Sequence, residues 1–292
     1  MGRFLRYLPA LALGLVLITA GVLKALDPAE FVHQIETYGI LSGRATVLLA
    51  YVLIPLEIAL GSALVLRYRP RLAAGAAVAL LGVFMATTAY AWSQGKSEGC
   101  GCFGSFAPRT PGQVLLEDAG FVALGILAIF LSSRKPSRES WRWIGVIAAV
   151  IPVGVILPLA AYALPLDPVV TDLRVGRSVA DLPLGESPTD LSQGAFLIAL
   201  LDLHDPHARE IVKRLNGIDD GGAGPKVLAF YGGEVDEKTI FCFNASPGFE
   251  VVAVPRPDLK RLYRKLPRFF LIRNGRVVRI WDITPPDASE VS

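Results

Sequence analysis

Two of the three cysteines in this 292-residue chain stand one residue apart, in Cys100-Gly101-Cys102-Phe103-Gly104. Thiols this close can cycle between dithiol and disulfide, a two-electron change that is passed on by exchange with the cysteines of another protein. Two residues of extended chain separate α-carbons by roughly 7 Å, beyond the ~4.4 to 6.8 Å of ordinary disulfides, so closing the bond needs a bent loop. Gly101 supplies the bend, and Gly99 and Gly104 leave the sulfurs sterically open. Two other readings stand beside the redox one: reduced cysteines in a tight turn, or two of the four ligands of a metal site. The metal reading is short of ligands, since His33 is the only histidine before residue 200, and no metal is expected.

Glu57 is the second residue that chemistry could use. It sits in Ile54-Pro55-Leu56-Glu57, near the middle of an apolar run, where a charge costs about 2 to 3 kcal/mol or more without a partner. It is expected to face the inside of a helix bundle. There it could carry protons for thiol or quinone chemistry, or be a protonated carboxyl bonded to a neighbouring helix or to the carbonyl freed by Pro55. Lys24 and Asp27, at the end of the first apolar run, and Glu117 and Asp118, near one end of the fourth, read as interfacial anchors or pairs.

The elements that must position these residues are set by composition. The chain is 52% hydrophobic and 19% charged, with mean hydropathy +0.48, and the apolar excess lies in residues 1–165. A bilayer core of ~30 Å needs about 20 apolar residues as a helix. Five segments qualify: Phe4–Leu26, Ala45–Leu66, Leu72–Trp92, Val114–Leu131 and Trp143–Leu164. The first, with Arg3 and Arg6 ahead of it and Thr19-Ala20-Gly21 within it, could be a cleaved signal peptide; its length favours a retained helix. The net charge of +3 comes from basic residues clustered at the ends of apolar runs, which are topology signals and not a nucleic-acid surface. Arg3 and Arg6, then Arg67, Arg69 and Arg71, then Arg134, Lys135, Arg138 and Arg142, belong on the cytoplasmic side. Cys100, Cys102 and everything after the fifth span are then expected outside the cytoplasm, where disulfides persist.

Lys24-Ala-Leu-Asp27-Pro28 with Phe31 and Tyr38, Pro55-Leu-Glu57 with Gly61, and Cys100-Gly-Cys102-Phe-Gly104 together resemble the MauE family of methylamine-utilisation proteins, within the wider DoxX-like group of four-helix redox-associated membrane proteins. The resemblance covers about residues 1–135. It implies a role in maturation, export or disulfide formation of the small subunit of methylamine dehydrogenase, a periplasmic quinoprotein rich in disulfides. DoxX-like relatives imply instead a membrane subunit linked to quinone-dependent oxidation of sulfur compounds. A fifth span and a soluble domain depart from the family pattern.

In the soluble part, Val175-Gly-Arg-Ser-Val-Ala-Asp181-Leu-Pro-Leu184 is similar to the opening of a thioredoxin-like redoxin domain. The run Ala195 to Leu203 reads as a buried strand and Ile211, Val212 and Leu215 as the face of a helix, with His204-Asp205-Pro206-His207-Ala208 between them. Thioredoxin-like oxidoreductases carry C-x-x-C at this junction; here Asp205 and Ala208 replace both sulfurs. Asp205 is expected as an N-cap. Leu266-Pro267 and the run Arg268 to Ile280 read as proline, strand, Asn274-Gly275 turn and strand, and the resemblance makes Pro267 a cis proline. Cys242, flanked by Phe241 and Phe243, reads as buried and inert.

The expected organisation is therefore a four-helix membrane domain (1–135), a cytoplasmic linker and fifth transmembrane helix (136–168), and an extracytoplasmic α/β thioredoxin-like domain (169–292). The expected site is Cys100 and Cys102, with Glu57 as proton carrier. Expected partners are membrane lipid and a periplasmic client or thioredoxin-like redox partner, with no nucleic acid; no cofactor is fixed by the sequence, and a quinone is the candidate electron acceptor.

Overall fold

The computed structural model describes residues 6–96, 109–132, 140–161, 163–164, 167–185, 189–219, 224–233 and 235–291. Cys100 and Cys102 lie outside the described residues, as do Arg3, Arg134, Lys135 and Arg138 of the topology signals. The chain divides into two compact units, Met1–Pro165 and Leu166–Ser292.

The first unit is helical: α1 Leu8–Leu26, α2 Pro28–Thr37, α3 Arg44–Val65, α4 Pro70–Ser93, α5 Pro111–Leu131 and α6 Ser140–Ala160. Helices α1, α3, α4 and α5, of 19 to 24 residues, are long and apolar enough to cross a membrane. Their starts are built as helix starts should be. Pro70 and Pro111 stand in the first turn, where no partner for the N–H is needed, and Thr110 with Gln113 closes a capping box. Glycines bring α1 and α3 together in antiparallel contact. A side chain at Gly14 or Gly61 would run into the other's carbonyl, and one at Gly21 would run into Ile58 and the Ile54 carbonyl. Small residues carry the rest of the core, with Ala10, Ala20, Ala63, Ala73, Ala74, Ala77 and Ala128 all buried around Leu13, Leu17 and Leu81. Helix α6 joins the bundle through Gly154, which lies against Pro55, and through Val150 and Leu157.

Helix α2 has no counterpart among the expected elements, which place a loop there. Its signals are local. Asp27 accepts a hydrogen bond from the Glu30 N–H at 3.2 Å, Pro28 opens the first turn, and Phe31 and Ile35, four residues apart, are buried against Ala50, Ile54 and Ile58 of α3.

The second unit is a five-stranded mixed sheet. Its strands are β1 Ala195–Leu200, β2 Lys226–Tyr231, β3 Glu250–Ala253, β4 Arg268–Arg273 and β5 Arg276–Asp282, in the order β3-β2-β1-β4-β5. β1, β2 and β3 are parallel, and β4 and β5 run antiparallel. Phe196, Ile198 and Leu200 enter one core with Phe230, Phe270, Leu259 and Leu262, while Leu197 and Ala199 enter the other with Ile211, Val212, Leu215 and Phe241. This alternation is the period of two in a strand buried on both faces. The covering helices are α8 Ala208–Asp219 and α9 Val235–Ala245 on the second core. α10 Arg256–Lys260 lies on the first. Short helices α7 Asp167–Val170 and α11 Ala288–Val291 open and close the unit. Asn274 and Gly275, with φ of 48° and 72°, form the tight turn between β4 and β5.

Candidate functional site

Lys24 Nζ and Glu57 Oε1 meet at 2.5 Å inside the bundle, with side chains 3% and 1% exposed. Side chains on a helix tilt toward its N-terminus. In the antiparallel α1–α3 pair the stems of Lys24 and Glu57 therefore lean toward each other along the seam. The Lys24 ammonium also lies 4.9 Å from the ring centre of Phe31 and 5.0 Å from that of Phe84, within cation–π range of both. One positive charge is thus held between a carboxylate and two aromatic rings. Glu57 Oε2 is buried and has no hydrogen-bond partner among the described residues.

Asp118 of α5 is a second buried carboxyl, 2% exposed and close enough to Glu57 for the two to interact electrostatically. A cavity of about 120 Å³ lies beside this group. Lys24, Asp118, Tyr38, Thr87 and Thr88 give it polar walls, and Phe31, Ile35, Leu49, Leu53, Leu80, Val83 and Phe84 give it apolar ones. The Tyr38 and Thr88 hydroxyls are 3.3 Å apart and buried. The expected bundle-facing position of Glu57 is what the structure shows, but its partner is Lys24. Lys24 and Asp118 are buried members of one charge cluster and not interfacial anchors. Only Lys24's place two residues before the end of an apolar run hinted at this, and the same place suits a residue that reaches the interface.

In the second unit, His204, Asp205, Pro206 and His207 lie in the segment between β1 and α8, and Ala208 is the first residue of that helix. Asp205 Oδ1 accepts from the His207 N–H at 2.8 Å and lies 3.3 Å from His207 Nδ1. The regular helix starts at Ala208, and Asp205 closes the turn that leads into it, its carbonyl accepting from the Ala208 N–H at 3.0 Å. His207 is exposed, and His204 Nε2 lies 3.4 Å from Glu237 Oε1. The Leu266–Pro267 peptide is cis. Because Leu200 pairs with Arg268, Pro267 lies at the same end of the sheet as the segment after β1. Cys242, on α9, is half-buried against the second core. No group of three metal-ligating side chains occurs among the described residues.

Next to Pro267 lies an ionic clasp that the sequence does not announce. Arg264 forks onto Asp167 of α7, with Nε to Oδ1 at 3.2 Å and Nη2 to Oδ2 at 3.1 Å. Arg268 Nε lies 2.9 Å from Asp282 Oδ1, and Nη1 donates to Thr171 Oγ1 at 3.2 Å and to the Leu262 carbonyl at 2.9 Å. Burial pulls the Arg268 guanidinium below its ordinary proton affinity, and the nearby Asp282 and Asp167 charges oppose this. Asp172 adds pairs with Arg261 at 2.6 Å and Arg177 at 3.2 Å.

No curated protein matches the chain. Residues 3–131 match the family model described as methylamine utilisation protein MauE, a stretch that takes in α1, α2, α3, α4 and α5 and so every residue of the charge cluster and cavity. The helical unit of this multi-pass membrane protein is thus MauE-like over residues 3–131, and the match does not extend into the second unit.

Proposed function

We propose that this protein is a membrane thiol–disulfide factor that helps form disulfides in a protein outside the cytoplasm, with Cys100 and Cys102 as the exchanging pair. The observation that carries the proposal is the Cys-Gly-Cys sequence between α4 and α5 of a MauE-like bundle. In the oxidising direction a client thiolate attacks one sulfur of the Cys100–Cys102 disulfide. A mixed disulfide forms, the second client thiolate resolves it, and the two cysteines leave as a dithiol. A two-electron acceptor must then take the electrons and two protons back from that dithiol. A membrane quinone, the acceptor class implied by the DoxX-like resemblance, becomes a quinol in that step. Glu57 suits proton carriage, because its Oε2 is a buried acceptor atom with no hydrogen-bond partner among the described residues. Methylamine utilisation, by the name of the matching family, makes the small subunit of methylamine dehydrogenase the client of first choice.

The second unit takes the part of a thioredoxin-like docking domain. Its strand order, the cis Leu266–Pro267 peptide and the junction at Asp205, Pro206, His207 and Ala208 support that role, and the missing sulfurs leave exchange to Cys100 and Cys102. The basic residues at the N-terminus, in the α3–α4 turn and around residues 134–142 support a cytoplasmic side for those segments. With α6 as a fifth span, the cysteine loop and the second unit then share the extracytoplasmic side. Trapping tests the whole proposal. A Cys102→Ser variant in native membranes should capture a client through Cys100. Full client maturation by the Cys100→Ser, Cys102→Ser double variant would end the redox reading and leave a non-redox assembly scaffold.

A further inference from the structure

We infer that the cavity beside Lys24 is a binding site for a membrane-dissolved molecule with a small, uncharged, oxygen-bearing head and an apolar tail. Size sets the first limit. At about 120 Å³ the cavity is comparable to the ~150 Å³ engineered cavity that takes up a single benzene ring, so one ring is the largest head that it holds.

Chemistry sets the second limit. A dry cavity in a protein core is apolar throughout, but this one has Lys24, Asp118 and the Tyr38–Thr88 hydroxyl pair in its walls. Those groups hydrogen-bond a carbonyl or hydroxyl and leave a plain hydrocarbon head unrewarded. A charged head is disfavoured. Lys24 already has Glu57 as its counter-ion, so an anion would compete with that carboxylate and face Asp118, and a cation would face the Lys24 ammonium and lose its hydration among mostly apolar walls for the single carboxyl of Asp118.

The route of entry fixes the tail. The wall between α3 and α4 is made of Leu49, Leu53, Leu80 and Val83, and Val83 is 58% exposed on the outer face of the bundle. Leu48 and Val52 of α3, at 68% and 52%, continue that apolar surface. In a membrane this face meets acyl chains, and a ligand coming through it must itself dissolve in them.

The inference stands on the cavity and not on the thiol reading, so the two can fail separately. Equilibrium binding of radiolabelled 4-decylphenol and decylbenzene to the full chain in lipid nanodiscs, with empty nanodiscs as background, tests it. The phenol should bind at least tenfold more tightly than decylbenzene. Val83→Trp, a change on the outer face, should weaken phenol binding about tenfold. Thr88→Val and Tyr38→Phe, which keep the shape, should bring the phenol within about threefold of decylbenzene. Equal affinities of the two probes, phenol binding unchanged by Val83→Trp, or a preference for the phenol that survives both hydroxyl removals would each overturn the assignment.

Discussion

A Cβ on Gly61 of α3 would stand 2.6 Å from the carbonyl oxygen of Gly14 on α1, and one on Gly14 would stand 2.8 Å from the carbonyl oxygen of Gly61. The obstructing atoms are backbone, so they cannot swing aside as a side chain would. Gly61→Ala and Gly14→Ala should each lower the unfolding free energy of the bundle by about 1 to 3 kcal/mol through overpacking. Gly82 on α4 has nothing within 4 Å of its Cβ position, and Gly82→Ala should stay within about 0.5 kcal/mol of the parent. Thermal or denaturant unfolding in one detergent checks the contrast; equal effects at Gly61 and Gly82 would contradict the close α1–α3 seam.

The Lys24–Glu57 pair should behave as a buried ion pair whose halves are worth more together than apart. Lys24→Met or Glu57→Leu alone leaves an uncompensated charge and should cost about 3 to 5 kcal/mol. The double variant removes both charges and should recover most of that loss. A double-mutant cycle on unfolding midpoints reads the coupling directly, and simple additivity of the two single losses would mean that the pair does not form.

The clasp at Asp167 gives a prediction for the second unit. Asp167→Asn keeps the shape but withdraws the charge that the buried Arg264 grips with two donors. A loss of about 2 to 3 kcal/mol in the stability of this unit is expected, with earlier proteolysis after Arg261 and Arg264 as the readout. A protease pattern identical to the parent's would show that the fork contributes nothing.

Cys242 separates the three thiols by role. Half-buried against the second core, it should react slowly with a maleimide in the folded chain, and Cys242→Ser should leave client capture through Cys100 unchanged. Capture abolished by Cys242→Ser would move the exchange chemistry to the second unit.

The spans were legible because bilayer thickness imposes a length on apolar runs, and Glu57 was legible because a carboxyl in such a run needs a reason. Its partner was not. Lys24 is 33 residues away on another helix, and its place near a helix end has an equally good interfacial explanation. Asp118 was hidden in the same way. Helix α2 carried its signals openly, Asp27-Pro28 and then Phe31 and Ile35 four apart, but its mixed charges suit a loop as well. In the second unit, alternation and the Asn274–Gly275 turn announce strands, because these depend on neighbours in sequence. The grip of Arg264 on Asp167 spans 97 residues and follows only from the folded path of the chain.

The distance along the chain between Lys24 and Glu57 also has a meaning in time. The first helix leaves the ribosome 33 residues before its counter-ion, about 2 to 7 s at ~5 to 20 residues per second. During that interval Lys24 has no carboxylate across the seam, and insertion scales price a lysine at a helix centre at about 2.5 to 3.5 kcal/mol. Its place near the helix end lets the ammonium wait at the water boundary until α3 arrives, and the pair then closes inward as the two helices zip along their glycines. The first helix is thus committed to the bilayer before it is committed to the bundle.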